Sequence, residues 1–135
     1  MICPCGSKLD YTACCGPFHA QTALPETAEA LMRSRYAAFA TGRIDYLKAT
    51  TWPKFQRDFD DAGYSARSKN STWLGLAILA TEAGLRNDTT GTVTFVATSL
   101  HAGALHRQRE KSEFRKKQGR WYYVAACDET STASS

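Results

Sequence analysis

Four of the five cysteines fall within the first fifteen residues, at Cys3, Cys5, Cys14 and Cys15, as two close pairs eight residues apart. A zinc ion takes four thiolate or imidazole ligands in a tetrahedron, and such a closed site can supply most of the folding energy of a short segment. The two pairs flank a loop that holds Gly6 and Ser7, and Pro4 stiffens the first pair. Glycine at position 6 lets backbone amides turn toward the sulfurs, and amide hydrogen bonds ease the negative charge of a four-thiolate centre. Disulfides are the alternative use of these residues. A Cys3–Cys5 bond is geometrically poor and a vicinal Cys14–Cys15 bond is strained, but the two long-range pairings remain open. The cysteines begin at position 3 with no signal peptide ahead of them. The expectation is therefore a reducing, cytoplasmic compartment, where clustered cysteines hold metal, with zinc as the cofactor. Cys127 stands alone and is expected to be a buried or incidental thiol, since no base partner is evident.

A second group with chemical potential lies in the stretch 105–117. Its odd positions are Arg107, Arg109, Lys111, Glu113, Arg115 and Lys117, all charged; its even positions are His106, Gln108, Glu110, Ser112 and Phe114. Side chains alternate faces along a strand, so the odd face is solvated and the even face turns inward. A polar-lined mouth over an apolar floor is how small-molecule pockets are built, and the candidates for one here are Arg33, Arg35, Tyr36, His106, Glu110 and Ser112. The bland alternatives are a wet edge of the core for the strand residues and surface charges for the arginines. A buried carboxylate cannot stay charged and alone, so Glu110 is expected to pair with Arg33 or Arg35.

The elements that must position these residues can be read from periodicity. The chain has 135 residues, enough for one compact domain with a small appendage, and 43% hydrophobic with 22% charged residues is ordinary for a soluble globular protein. No apolar run approaches the ~20 residues of a membrane helix. Residues 17–24 read as a linker. Ala28, Leu31, Met32, Tyr36, Phe39 and Ala40 trace one helical face, with Thr27 as cap and Gly42 as stop. Asp45 fits the N-cap of a short helix that ends before Trp52-Pro53, and 54–67 reads as a third helix broken at Gly63. Strands follow at 72–79 (fully buried by its length and apolar run), 92–98, 105–117 and 120–125, with a tight turn at Gln118-Gly119. Helices first and strands after imply an α+β fold, with the helices packed on one face of an antiparallel meander. The expected division is 1–20 for the cysteine knuckle, 21–127 for the domain and 128–135 for a disordered Ser/Thr-rich tail.

Two resemblances sharpen this reading. Cys3-Pro4-Cys5-Gly6-Ser7 followed by Cys14-Cys15-Gly16 resembles the SEC-C zinc motif, found at the C-terminus of SecA and in many bacterial proteins. The four cysteines fall on that motif's metal-ligand positions and Tyr11 on its aromatic position. Leu9 and Asp10 depart from its usual basic run, which in SecA contacts an acidic chaperone partner. Leu31-Met32-Arg33-Ser34-Arg35-Tyr36-Ala37-Ala38-Phe39, Trp73-Leu74-Gly75-Leu76, Val93-Thr94-Phe95-Val96-Ala97, Glu110-Lys111-Ser112-Glu113-Phe114 and Trp121-Tyr122-Tyr123-Val124 resemble the YchJ family, from Cys3 to about Val124. That resemblance implies an uncharacterised bacterial protein: an N-terminal SEC-C motif joined to a nuclear-transport-factor-2-like, or cystatin-like, cone of about three helices on a curved four-stranded antiparallel sheet. Thr94 and Glu113 depart from residues common in the family, and the second, C-terminal cysteine motif of many members is absent.

Three functions compete. A non-catalytic adaptor would dock a protein partner through the knuckle, with a small-molecule ligand in the cone and a homodimer through the sheet as further options. The closed cysteine set leaves no open metal position for a water or substrate, which argues against zinc catalysis. A cone enzyme of the isomerase or dehydratase type would draw on His101, His106, Glu110 or Tyr36, but no pair has a spacing that specifies chemistry, so no catalytic residue is assigned. Nucleic-acid binding through the face between Arg107 and Lys117 ranks last, because a net charge of +4 is modest and the stripe contains Glu113.

Overall fold

The computed structural model describes the backbone of residues 1–134 and the side chains of residues 1–127. Four helices, α1 (Gly16–His19), α2 (Ala28–Thr41), α3 (Ile44–Ala49) and α4 (Asp61–Lys69), precede four strands, β1 (Thr72–Ala83), β2 (Thr90–His101), β3 (Ala104–Lys117) and β4 (Arg120–Ser134). The strands form one antiparallel sheet in the order β1-β2-β3-β4. This is the expected α+β arrangement. The turns that close β2–β3 and β3–β4 are the pairs Ala102-Gly103 and Gln118-Gly119, with φ of 52° and 78°, and 53° and 78°. Two left-handed residues in succession make the tight hairpin whose twist matches that of the strands it joins.

Helix α2 lies across the concave face of the sheet. Thr27 Oγ1 accepts from the Ala30 amide at 3.1 Å, and Gly42, at φ 76°, ends the helix in the left-handed conformation. Ala28, Leu31, Met32 and Tyr36 bury against Val93, Phe95, Phe114 and Trp121 of the sheet. Ala38, on another face, packs with Tyr46 and Leu47 of α3. The segment after α3 is pinned to β4: the Tyr123 amide donates to Thr50 O and the Trp52 amide to Tyr123 O, each at 2.8 Å. That contact covers part of the free edge of β4.

Several expectations are corrected. Asp45 lies in the first turn of α3, and Arg43 stands at the cap. The stretch 54–67 is divided at Phe59 and Asp60 into a 3₁₀ helix, Pro53–Asp58, and α4. Gly63 sits inside α4 because the capping carboxylate of Asp60 accepts its amide at 2.9 Å, and a Cβ there would stand 2.1 Å from Asp60 Oδ2. The linker contains α1, started by Pro17. Strand β1 is an edge strand rather than a buried one: Trp73, Leu76 and Ile78 pack on the core, while Leu74 and Leu79 are exposed. Residues 128–134, expected to be a disordered tail, instead continue the backbone of β4 along the first half of β3. That half of β3 would otherwise present an unpaired edge, and threonine suits a ladder position. Ser135 lies outside the described residues.

The β1–β2 connection carries the entry of α2. The Ala28 amide donates to Gly84 O at 2.9 Å, and Gly84 and Gly91 are packed backbone to backbone. A Cβ on Gly91 would meet Gly84 Cα at 2.4 Å. Gly91→Ala should therefore lower the unfolding free energy by about 1–3 kcal/mol, as overpacking does. Urea denaturation checks this, and an unchanged midpoint would show that the approach relaxes freely.

Candidate metal centre and cone cavity

Residues 1–11 form a small hairpin. Ile2 pairs with Asp10, the Cys3 amide donates to Leu9 O and the Tyr11 amide to Met1 O, both at 2.8 Å. Gly6 (φ 87°) and Lys8 (φ 68°) make the turn. Asp10 caps the 3₁₀ turn Tyr11–Ala13 by accepting from the Thr12 amide and hydroxyl, and the Thr12 hydroxyl, the Met1 ammonium at 3.0 Å and the Thr12 amide hold its carboxyl down to about 2. Its departure from the basic run of the motif is thus a local structural device. The turn brings Cys14 and Cys15 back over Cys3 and Cys5.

All four Sγ atoms lie within 4.8 Å of one another, with Cys5–Cys14 at 3.6 Å and Cys14–Cys15 at 3.9 Å. A tetrahedron with a metal–sulfur distance of about 2.3 Å has edges of about 3.8 Å, so the cluster has the dimensions of a four-thiolate centre. All four cysteines are free; Cys3, Cys5 and Cys15 are buried and Cys14 is partly exposed. The Cys5 thiol is pulled down to about 4, chiefly by the hydrogen bond from Cys15, and Cys15 is pushed up by that same bond and by burial. Burial also raises Cys3. Without a cation the sulfurs must share protons; a thiolate-loving cation displaces them. Ser7 Oγ accepts from the Leu9 amide at 3.2 Å, which leaves its hydrogen for Cys14 Sγ at 3.1 Å. The donor set therefore suits a metal ion held by Cys3, Cys5, Cys14 and Cys15.

The knuckle is docked on α2. Ala37 joins the buried cysteine cluster, and Arg33 donates from Nη1 to Cys5 O at 2.8 Å while its Nε pairs with Glu29 at 3.0 Å. The loop also runs against β1, since a Cβ on Gly6 would stand 3.1 Å from Leu76 O. A residue that sequence reasoning missed completes the dock. His19 is buried, with Nε2 2.8 Å from Ser34 O and Nδ1 2.5 Å from Tyr11 Oη. A carbonyl only accepts, so Nε2 carries the proton and Nδ1 accepts from the tyrosine. Burial pushes the His19 pKa down and keeps the ring neutral. Its one signal in the sequence is position: Pro17 starts α1 directly after the second cysteine pair, which sets His19 one turn beyond Cys15.

The cone holds a cavity of about 70 Å³ under α2, and its lining includes Arg35, Tyr36, Arg67, Trp73, Gln108 and Glu110. The even face of β3 does point inward: Ser112 and Phe114 are fully buried, and Glu110 lines the cavity. The expected ion pair does not form. Arg33 and Arg35 are two residues apart on a helix, so they leave it on nearly opposite sides. Arg33 goes to the knuckle. Arg35, fully buried, donates from Nη1 to Leu47 O at 2.9 Å and Thr50 Oγ1 at 2.7 Å, and lies 4.5 Å from the centre of the Tyr123 ring. Glu110 accepts from Gln108 Nε2 at 3.2 Å and from Ser112 Oγ. Tyr36 is in the core, and its hydroxyl is the one buried side-chain oxygen without a hydrogen bond among the described residues. His106 sits farther out beside His101, in an open cleft of about 360 Å³ that adjoins the cavity. Of the basic outer face, Lys111 pairs with Glu82 at 3.2 Å and Arg115 with Glu113 at 3.0 Å. Cys127 is exposed, not buried.

A four-cysteine knuckle seated on the helix of an open, four-stranded cone defines a SEC-C motif protein with a nuclear-transport-factor-2-like domain. Residues 27–126 match the family model described as YchJ, middle NTF2-like domain. The chain belongs to the YchJ family. It is 40% identical over 123 residues to the UPF0225 protein GSU1048 of Geobacter sulfurreducens, an alignment that spans 91% of this chain and 76% of the relative. The solution structure of RPA3114, a SEC-C motif containing protein from Rhodopseudomonas palustris, superposes with a TM-score of 0.85 at 39% identity, covering 93% of this chain and 97% of that one. The crystal structure of a SEC-C motif containing protein from Psychrobacter arcticus gives 0.82 at 28% identity, covering 93% and 81%.

His19→Leu should remove the nitrogen partner of the Tyr11 hydroxyl and a partner from Ser34 O. A loss of about 1–3 kcal/mol in thermal unfolding of the metal-loaded protein is expected. A variant as stable as the parent would mean that the histidine fills space and nothing more.

Proposed function

We propose that this protein is a cytoplasmic, zinc-binding adaptor whose knuckle presents a rigid surface to a protein partner. The observation that carries this reading is the donor set: four sulfurs at tetrahedral spacing, all from the protein, with three of them buried. Thiolates of this number and geometry favour zinc over hard cations, and a closed site serves structure rather than catalysis. The same hairpin turns Ile2 and Leu9, 65% and 54% exposed, to solvent from its two strands. A metal-braced loop is a poor place to expose apolar side chains unless something covers them. Where the motif of SecA carries cations, this one carries leucine and a capping aspartate, so the partner surface is apolar rather than acidic.

Metal analysis of the purified protein should find about one zinc per chain, and Cys14→Ser should lose most of it, because three thiolates hold the ion more weakly. Protein that is metal-free and disulfide-bonded when isolated under reducing conditions would refute the zinc reading. For the adaptor reading, Ile2→Ser with Leu9→Ser should retain the zinc and lose partners recovered by crosslinking in cells. An unchanged set of crosslinked partners would place the interaction elsewhere.

A further inference from the structure

We propose that the cone cavity is a binding site for a small zwitterion, an α-amino acid with a flat apolar side chain. Arg35, Arg67 and Glu110 all line this cavity, and no ion pair joins Glu110 to either arginine among the described residues. Arg35 is wholly buried, and no carboxylate oxygen lies within ion-pair distance of it among the described residues. Its Nη1 is committed to α3, donating to Leu47 O and Thr50 Oγ1, and its guanidinium lies over the Tyr123 ring. Glu110 is held as an acceptor by Gln108 and Ser112 and likewise has no cation in contact. A buried arginine and a carboxylate in one cavity normally collapse onto each other, since each then offsets the other's desolvation. Here α3 and the β3 neighbours hold them apart. The missing piece has an anionic group for Arg35 and a cationic donor for Glu110, close together on one small molecule.

The shape sets the rest of the ligand. At about 70 Å³ the cavity takes a few heavy atoms, because a cavity of roughly 150 Å³ is what benzene fills. The carboxylate and ammonium head of an amino acid fits this size; a ring does not. The ring has a place in the adjoining cleft of about 360 Å³, which shares Arg67, Trp73, Ala97 and Gln108 with the cavity. Phe39 and Tyr64 line the cavity itself, while Trp73 is shared by cavity and cleft, with Arg67 beside it. The Trp73 indole with a cation at the rim suits a flat apolar side chain.

The test uses the full-length, metal-loaded protein and three probes of one shape: L-phenylalanine, 3-phenylpropanoate without the ammonium, and 2-phenylethylamine without the carboxylate. Nitrogen-15 NMR follows the Trp73 indole and the Gln108 side-chain amide. L-phenylalanine should shift both signals saturably, and each single-charge analogue should bind roughly tenfold more weakly, the scale of one lost charge-assisted hydrogen bond. Glu110→Gln should erase the preference for L-phenylalanine over 3-phenylpropanoate. Ala97→Leu, which fills the passage, should abolish the shifts while the remaining spectrum stays folded. The proposal is overturned if L-phenylalanine causes no saturable shift, if either analogue binds as tightly, or if the shifts persist in Ala97→Leu.

Discussion

Helix α2 is buried on three sides, and each side belongs to a different part of the molecule. Leu31, Met32 and Tyr36 enter the sheet core, Ala37 enters the cysteine cluster and Ala38 meets α3. A helix so enclosed needs small residues wherever a neighbour's backbone comes close, and the pair Ala37-Ala38 supplies them at adjacent angles. The polar residues on its flanks are equally committed. Ser34 donates to Leu31 O and accepts from Tyr46, while its own carbonyl accepts a hydrogen bond from His19 Nε2. The position of the knuckle and the depth of the cone are therefore set by one element.

The two arginines of α2 divide the electrostatics between those parts. Arg33 spends its charge at the rim, on Glu29 and on the carbonyl of Cys5. Arg35 is turned inward, where desolvation works against its charge; carbonyl, hydroxyl and ring partners answer it directly and the Glu110 charge acts on it from a distance. Four sulfurs crowd one side of the helix, and on the other a guanidinium shares a cavity with Glu110 without an ion pair between them. Both arrangements are held by the surrounding fold.

Much of this was legible from residue types and spacing. The cysteine pairs, the cap at Thr27, the stop at Gly42, the hairpin at Gln118-Gly119 and the inward phase of β3 all follow from local rules. What was not legible depended on tertiary distance. The apolar run of β1 has the composition of a buried strand, yet two register shifts and its place at the sheet edge leave Leu74 and Leu79 outside. The pairing of Glu110 with Arg33 or Arg35 failed because Arg33 is taken by the knuckle, while Arg35 reaches the same cavity but is held by Leu47 O and Thr50, and Glu110 by Gln108 and Ser112. His19 went unnoticed because nothing in its neighbourhood says that its ring will reach a carbonyl fifteen residues later. Residues 128–135 read as unstructured by composition; pairing with β3 gives the backbone of 128–134 a partner that composition does not see.

The approach of the knuckle to β1 ties two hazards together. An edge strand is a template for pairing with another chain, and the loop at Gly6 lies against the backbone of this one at Leu76. Fold and cover share a common origin, since the hairpin that shields the strand is the one its cysteines organise. A change that dismantles the cluster would therefore also loosen the contact of the Gly6 loop with a strand whose Leu74 and Leu79 are exposed. The cysteines thus bear on the surroundings of an edge strand as well as on the hairpin they organise.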